Sequence, residues 1–242
     1  WRERVRHYIN TEGAPPLNPK WRAIQRDKGK FLNLYNSPGE RSAQRPIIEA
    51  MRRRHSLSRC PACGESGTPN TLDHYLPKEK YPYLCVTPLN LFPMCDACQA
   101  EKGTKTGSPA EPKFFIHPYF DAFVAEQVVE LSIDGPFNTP TFAFGVRRGL
   151  RLDEEALVAA HIRELNIPAR YNRFLKGQHT RMLKLASKIR ADNQDIAAAL
   201  ERFADMAGFE TENGWEHVYY RAALDNADFL RYLEAGELPD FI

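Results

Sequence analysis

Two short cysteine pairs constrain this chain more than any other feature. They are Cys60-Pro-Ala-Cys63 and Cys95-Asp-Ala-Cys98, with 31 residues between them. Each CxxC turn offers two thiolates from one tight bend, and two such knuckles complete the closed tetrahedral shell of a structural Zn²⁺. The alternatives fit less well. An odd total of five cysteines, and a start (WRERVRHYIN) without the apolar stretch of a secretory signal, argue against a disulfide framework. A thioredoxin-type redox pair needs a βαβ context, and neither pair has one. Cys85, inside YPYLCVTPLNLF, reads as a small buried hydrophobe. A zinc-held centre is therefore expected, with residues 57–105 built from short elements broken by Gly and Pro.

The rest of the composition sets the frame around that centre. A chain of 242 residues with 43% hydrophobic side chains can form one large domain or two small ones, and neither collagen-like nor wholly disordered classes apply. No run of eighteen apolar residues occurs, which excludes a transmembrane helix. A cytoplasmic protein with no membrane partner is expected, its N-terminus trimmed because the first residue is Trp instead of Met. The net charge is only +2, but residues 1–60 hold 14 Lys/Arg against 5 Asp/Glu, leaving 19 against 26 for the remainder. A basic arm on a mildly acidic body points to a polyanion on one face, provided that a nucleic-acid site lies beside it.

Local patterns predict a mainly helical α+β chain in three parts: a basic helical segment over 1–56, a zinc-bound core over 57–113, and a hairpin plus helical bundle over 114–242. WRAIQRDKGKFLNLYN reads as a helix. Ser37-Pro38-Gly39-Glu40 has the form of a helix start, with Ser as N-cap and Pro at the first position, for a helix running to Ser56 and bent at Pro46. VVELSID and TFAFGV read as a β-hairpin joined through GPFNTP. DEEALVAAHIRELN, capped by Asp153, begins a run of four amphipathic helices, of which WEHVYYRAALDNADFLRYLEAG is the last.

Between the knuckles lie Leu72-Asp73-His74-Tyr75-Leu76-Pro77-Lys78, then Asn90-Leu91, then Gln99 directly after Cys98. A structural zinc ribbon has no need of an Asp-His pair. Neighbours on a strand point to opposite faces, so the two meet at one site only if the strand bends or they take different sides of one ion. The types suit hydrolysis: a hard carboxylate oxygen for a divalent cation, and an imidazole to take a proton from water.

The order CxxC, DH, N, CxxC with a polar residue after the last Cys resembles the HNH endonucleases, the ββα-metal nucleases built on zinc knuckles. The resemblance spans residues 60–102 and implies Cys60, Cys63, Cys95 and Cys98 as structural zinc ligands, Asp73 as ligand to a catalytic Mg²⁺ or Mn²⁺, His74 as general base and Asn90 as the residue that holds the connecting loop. The last position is usually His or Asn and here is Gln99, one methylene longer than Asn, with Asp96 and Glu101 as possible substitutes. A narrower resemblance, carried by LDHYLPKEKYPYLCVTPLNLFPMCDAC and FFIHPYFD, is to the HNH subunit of Septu-type anti-phage systems, also found with some retrons. It implies an ABC-type ATPase partner, a possible retron reverse transcriptase complex, DNA as target, and C-terminal helices that dock the partner.

On the HNH reading, Lys78 and Lys102 are candidates for phosphate contacts, and Arg52-Arg53-Arg54 are stronger ones because they are clustered beside the first knuckle. His117 in HPYFD orders a turn or reaches the site from outside the motif. His7, His55, His161, His179 and His217 read as surface or half-buried residues. Two other functions stay open: a non-catalytic zinc module that binds nucleic acid through residues 1–60, and a protein-interaction subunit with a decayed site. Asp73, His74 and Asn90 speak against the first of these, and Gln99 favours the second.

Overall fold

A computed structural model describes residues 1–240. The chain divides into two compact units, Trp1–Ala122 and Phe123–Ile242, in an α+β fold with two small antiparallel sheets among its described residues. The basic N-terminal segment and the cysteine-bearing centre share the first unit.

In that unit α1 (Arg2–Asn10), α2 (Lys28–Asn36) and α3 (Arg45–Arg53) precede a strand pair, β1 (Thr71–His74) and β2 (Leu91–Met94), followed by α4 (Asp96–Lys102). The strands pair antiparallel with Asp73 opposite Phe92 and His74 opposite Leu91. Their apolar support comes from Tyr35, Ile48, Leu72, Cys85 and Leu91, with Phe31, Met51 and Val86 packed around them. Cys85 is fully buried and its thiol donates to the Phe31 carbonyl (2.9 Å), as expected of a packing residue.

The helix start expected at Ser37 is not used. Residues 37–44 form bends and turns, and α3 begins at Arg45 with Pro46 in its first turn. Pro46 therefore opens the helix where its missing N–H has no partner to lose, and it bends nothing. The stretch before α2 is likewise a 3₁₀ turn over Arg22–Asp27.

The second unit holds β3 (Val129–Asp134) and β4 (Thr141–Val146), the expected hairpin, with Val129, Leu131 and Ile133 buried on one face of β3. Then come α5 (Leu152–Glu164), α6 (Ile167–Ala191), α7 (Ile196–Gly208), α8 (Trp215–Leu224) and α9 (Ala227–Ala235). The N-cap of α5 is Arg151 and not Asp153. The last expected helix is two, because the Asn226 side chain accepts from the Phe229 N–H and caps a fresh start. Arg190 closes the far end of α9, its guanidinium donating to the carbonyls of Tyr232, Leu233 and Gly236 at 2.6–2.8 Å. No helix among the described residues is long and apolar enough to cross a membrane.

Candidate metal centre and the Asp73–His74 site

The first knuckle is a tight hairpin. Cys60 N–H donates to the Glu65 carbonyl (3.0 Å), and Gly64 N–H closes back on the Cys60 carbonyl (2.8 Å). Gly64 sits at φ 77°, a left-handed conformation that glycine adopts without strain. The second knuckle runs into α4, whose N-cap is Cys95, its sulfur accepting from the Cys98 N–H at 3.4 Å. The turns bring the four Sγ atoms of Cys60, Cys63, Cys95 and Cys98 within 4.8 Å of one another, with Cys63 and Cys95 4.0 Å apart.

Tetrahedral Zn²⁺ with Zn–S bonds of about 2.3 Å requires sulfurs about 3.8 Å apart, so the donor set fits with little movement. The Cys95 N–H also donates to Cys60 Sγ (3.4 Å), a contact that suits a thiolate. Crowded thiols cannot all ionise on their own. Donation from Cys60 and the other two pulls the Cys95 thiol strongly down, while Cys98 is pushed up by the same neighbours. A divalent cation would remove that conflict. The four cysteines are thus a cluster that can hold a structural zinc ion.

α4 links this cluster to the motif residues. Gln99 and Lys102, three positions apart and so on one helix face, both reach Asp73 on β1. Lys102 is fully buried, its Nζ 2.7 Å from Asp73 Oδ2 and 2.7 Å from the His74 carbonyl oxygen, to which it donates. The contact with Oδ2 is a short buried ion pair that commits this oxygen to the ammonium. Gln99 Nε2 lies 3.5 Å from Asp73 Oδ1. The sequence reading of Lys102 as a surface phosphate contact is therefore corrected: the ammonium serves Asp73 inside the protein.

His74 takes the opposite side of the strand, as the pleat requires. Its Nε2 lies 2.9 Å from the Cys85 carbonyl, and its ring meets Tyr35 edge-on with centroids 4.4 Å apart. A carbonyl has no proton to give, so Nε2 carries the hydrogen and Nδ1 keeps its lone pair. Burial pushes the imidazole pKa down to about 3, so the ring is neutral at pH 7.

Asn90 is fully buried at the start of β2. Its Oδ1 accepts from Leu76 N–H (2.8 Å), and its Nδ2 donates to the carbonyls of Leu76 (3.1 Å) and Leu84 (3.3 Å). The excursion from β1 to β2, residues 75–90, is tied at its neck by this one amide. Arg52 and Lys78 lie near the other side of the site, and Arg53 and Arg54 are exposed.

Of the two roles expected for His117, the local one fits: its Nδ1 and carbonyl accept from N–H groups of the HPYFD turn, while its burial against α1 and the burial of three other histidines are not foreseen from the sequence. His117 is fully buried, 2.9 Å from Tyr8 Oη, accepting from Tyr119 N–H (3.2 Å) and packed on Tyr75 and Phe120. His161, His179 and His217 are buried, not surface residues. His179 is held by Tyr219 Oη and the Phe137 carbonyl, and His217 by the Ala204 carbonyl.

Comparison with known proteins adds one relative, protein ea31 of Escherichia phage lambda. It is 28% identical over 194 residues, a match covering 73% of this chain and 64% of that protein. The matched region thus spans under two thirds of the relative. No family model and no solved structure matches the chain.

Proposed function

We propose that this protein is an HNH endonuclease that hydrolyses phosphodiester bonds in DNA with a divalent cation. The observation that carries the reading is the state of His74. Its Nε2–H is committed to the Cys85 carbonyl and its ring is kept neutral by burial, which leaves Nδ1 as a base at the end of the strand that carries Asp73. Asp73 Oδ1 and the Gln99 amide would hold the Mg²⁺ or Mn²⁺, with Oδ2 already committed to Lys102. The cation would supply charge neutralisation at the scissile phosphate and the leaving oxygen. His74, on the other side of the strand from Asp73, would take the proton of the attacking water at Nδ1 across the ion, and Asn90 keeps the β1–β2 excursion in the shape that presents it. The cysteine cluster fixes the start of α4 and hence the positions of Gln99 and Lys102.

The Septu-type resemblance supports a further part of the reading: an effector in anti-phage defence, activated by an ABC-type ATPase that docks on the C-terminal helices. One observation favours a second reading. Asp73 already has a cation in Lys102, which suits a zinc-stabilised binding or interaction subunit without catalysis.

Plasmid cleavage decides between them. Purified protein is assayed with Mg²⁺ or Mn²⁺, with and without an ABC-type ATPase of a Septu-type system, and compared with His74→Ala of equal zinc content. Cleavage that disappears in His74→Ala supports the nuclease. Wild type and variant equally inert under all conditions, with zinc bound, would refute it.

A further inference from the structure

Tyr35 is the meeting point of three groups that the sequence places far apart. Its hydroxyl donates to the Leu72 carbonyl (2.8 Å), which fixes the ring against β1, and its edge meets His74. The Arg52 guanidinium carbon stands 4.4 Å from the ring centroid, and Lys78 Nζ stands 5.6 Å from the same centroid. Both cations therefore lie within about 10 Å of the His74 ring. A cavity of about 350 Å³, lined by Pro38, Arg45, Ile48, Glu49, Arg52 and Arg53, opens on the Arg52 side.

The charges there are poorly balanced. Glu49 is taken by Arg45 (2.7 Å) and Glu79 by Lys78 (3.1 Å). No carboxylate lies within ion-pair distance of Arg52 or Arg53 among the described residues, and the one side-chain hydrogen bond of Arg52 is a long one (3.4 Å) to the Tyr35 carbonyl. Holding a guanidinium over a fixed aromatic ring orients its remaining donors without neutralising them, a geometry suited to phosphate. The ring itself is 6% exposed, so it offers no face for a base to stack on.

We infer that Arg52 and Lys78, held on Tyr35, form a sequence-independent clamp for the phosphodiester backbone of a nucleic-acid strand beside His74, with Arg53 extending it. The inference deepens the nuclease reading and rests on it for the strand's path to His74. A strand in duplex DNA carries a phosphate every 3.4 Å or so of rise, so both cations fall within a few phosphates of a group attacked at His74. Because the clamp meets only the backbone, its loss should weaken every sequence alike.

The test measures binding without cleavage. Zinc-loaded full-length protein, with no Mg²⁺ or Mn²⁺ added, is titrated into labelled duplexes of two unrelated sequences between 50 and 200 mM salt. Arg52→Gln, Arg53→Gln, Lys78→Gln and a control in the second unit, Arg148→Gln, are compared. Zinc content and thermal unfolding report on folding, and exposed Arg53 keeps the test valid should Arg52→Gln disturb its packing. Each clamp variant is expected to lower the slope of log K against log salt by about 0.9, equally for both sequences, with Arg148→Gln unchanged. Unchanged slopes in the folded clamp variants, or a loss confined to one sequence, would overturn the clamp. Binding lost as expected in a protein that cuts nothing would leave the clamp standing and sink the nuclease reading alone.

Discussion

The Lys102–Asp73 pair is the feature whose energetics can be pressed hardest. At 2.7 Å the two charges attract by on the order of 6 kcal/mol if the effective dielectric constant is about 20. Removing both ions from water costs several kcal/mol each, so the pair as a whole contributes little net stability. Burial accordingly pulls the Lys102 pKa below its ordinary value, against the opposing pull of Asp73. Deleting one partner is a different matter. Lys102→Met keeps most of the buried stem but leaves Asp73 as an uncompensated carboxylate and takes the donor from the His74 carbonyl, an expected loss of about 3–5 kcal/mol. Adding Asp73→Asn removes the stranded charge and should recover at least half of that.

Amide hydrogen exchange of β1 and α4 peptides is the suitable assay, because the two units need not unfold together. A loss of that size raises the exchange rates of their slowest amides by roughly two to four orders of magnitude if those amides exchange by opening of the site. A Lys102→Met change below about 1 kcal/mol, or a double variant no better than the single one, would refute the argument that a buried charge pair joins β1 to α4.

Four further outcomes are expected. Purified protein should contain one zinc per chain, and Cys95→Ser should lose it and melt the first unit while far-ultraviolet circular dichroism retains the helices of the second; metal analysis alongside the spectrum checks both. Asn90→Ala strands Leu76 N–H and two carbonyls and should cost about 2–4 kcal/mol by urea denaturation. His117 has a folded pKa lowered to about 3 by burial, against about 6.5 when unfolded, so its neutral form favours folding fully above pH 6.5. That contribution declines by about 1.4 kcal/mol per unit as pH falls toward 3, and urea midpoints for wild type and His117→Gln at pH 7.5 and 5 should show the variant less acid-sensitive. Gly13→Ala should destabilise the first unit, since Gly13 sits at φ 70° and an added Cβ would come 2.9 Å from the His117 ring; thermal unfolding checks it.

The sequence made the metal cluster legible because four thiols at CxxC spacing leave few geometric solutions. It made the β3–β4 hairpin and the α5–α7 helices legible because their apolar periods are long. It misplaced the start of α3 because Ser-Pro-Gly-Glu satisfies the local grammar of a helix cap, while Gly39 and the later Pro46 shift the start to where Pro loses nothing. It also placed Lys102 at the surface, since a lysine at the end of a short polar helix is normally solvated. Only the strand partner reveals otherwise: Asp73 lies 29 positions earlier, and no local pattern connects the two. The same holds for His117, whose partner Tyr8 comes from α1.

Those long-range pairs explain why the cysteine cluster and Asp73 are tied together. α4 is only seven residues long, too short to be stable on its own propensity. Cys95 caps it, Cys98 buries its first turn, and its remaining inward positions are Gln99 and Lys102, which grip β1 from the far side of His74. A zinc ion held by the four cysteines would thereby be coupled to the placement of Asp73 through one turn of helix. Loss of the metal would release Lys102 before it touched the core formed by Tyr35, Ile48 and Leu91. Asp73 would then carry its charge unpaired, and the same energetic penalty that Lys102→Met imposes would appear in the wild-type chain on chelation. Exchange rates in β1 should therefore rise on chelation in wild type far more than in the Lys102→Met/Asp73→Asn protein, where no charge is left to strand.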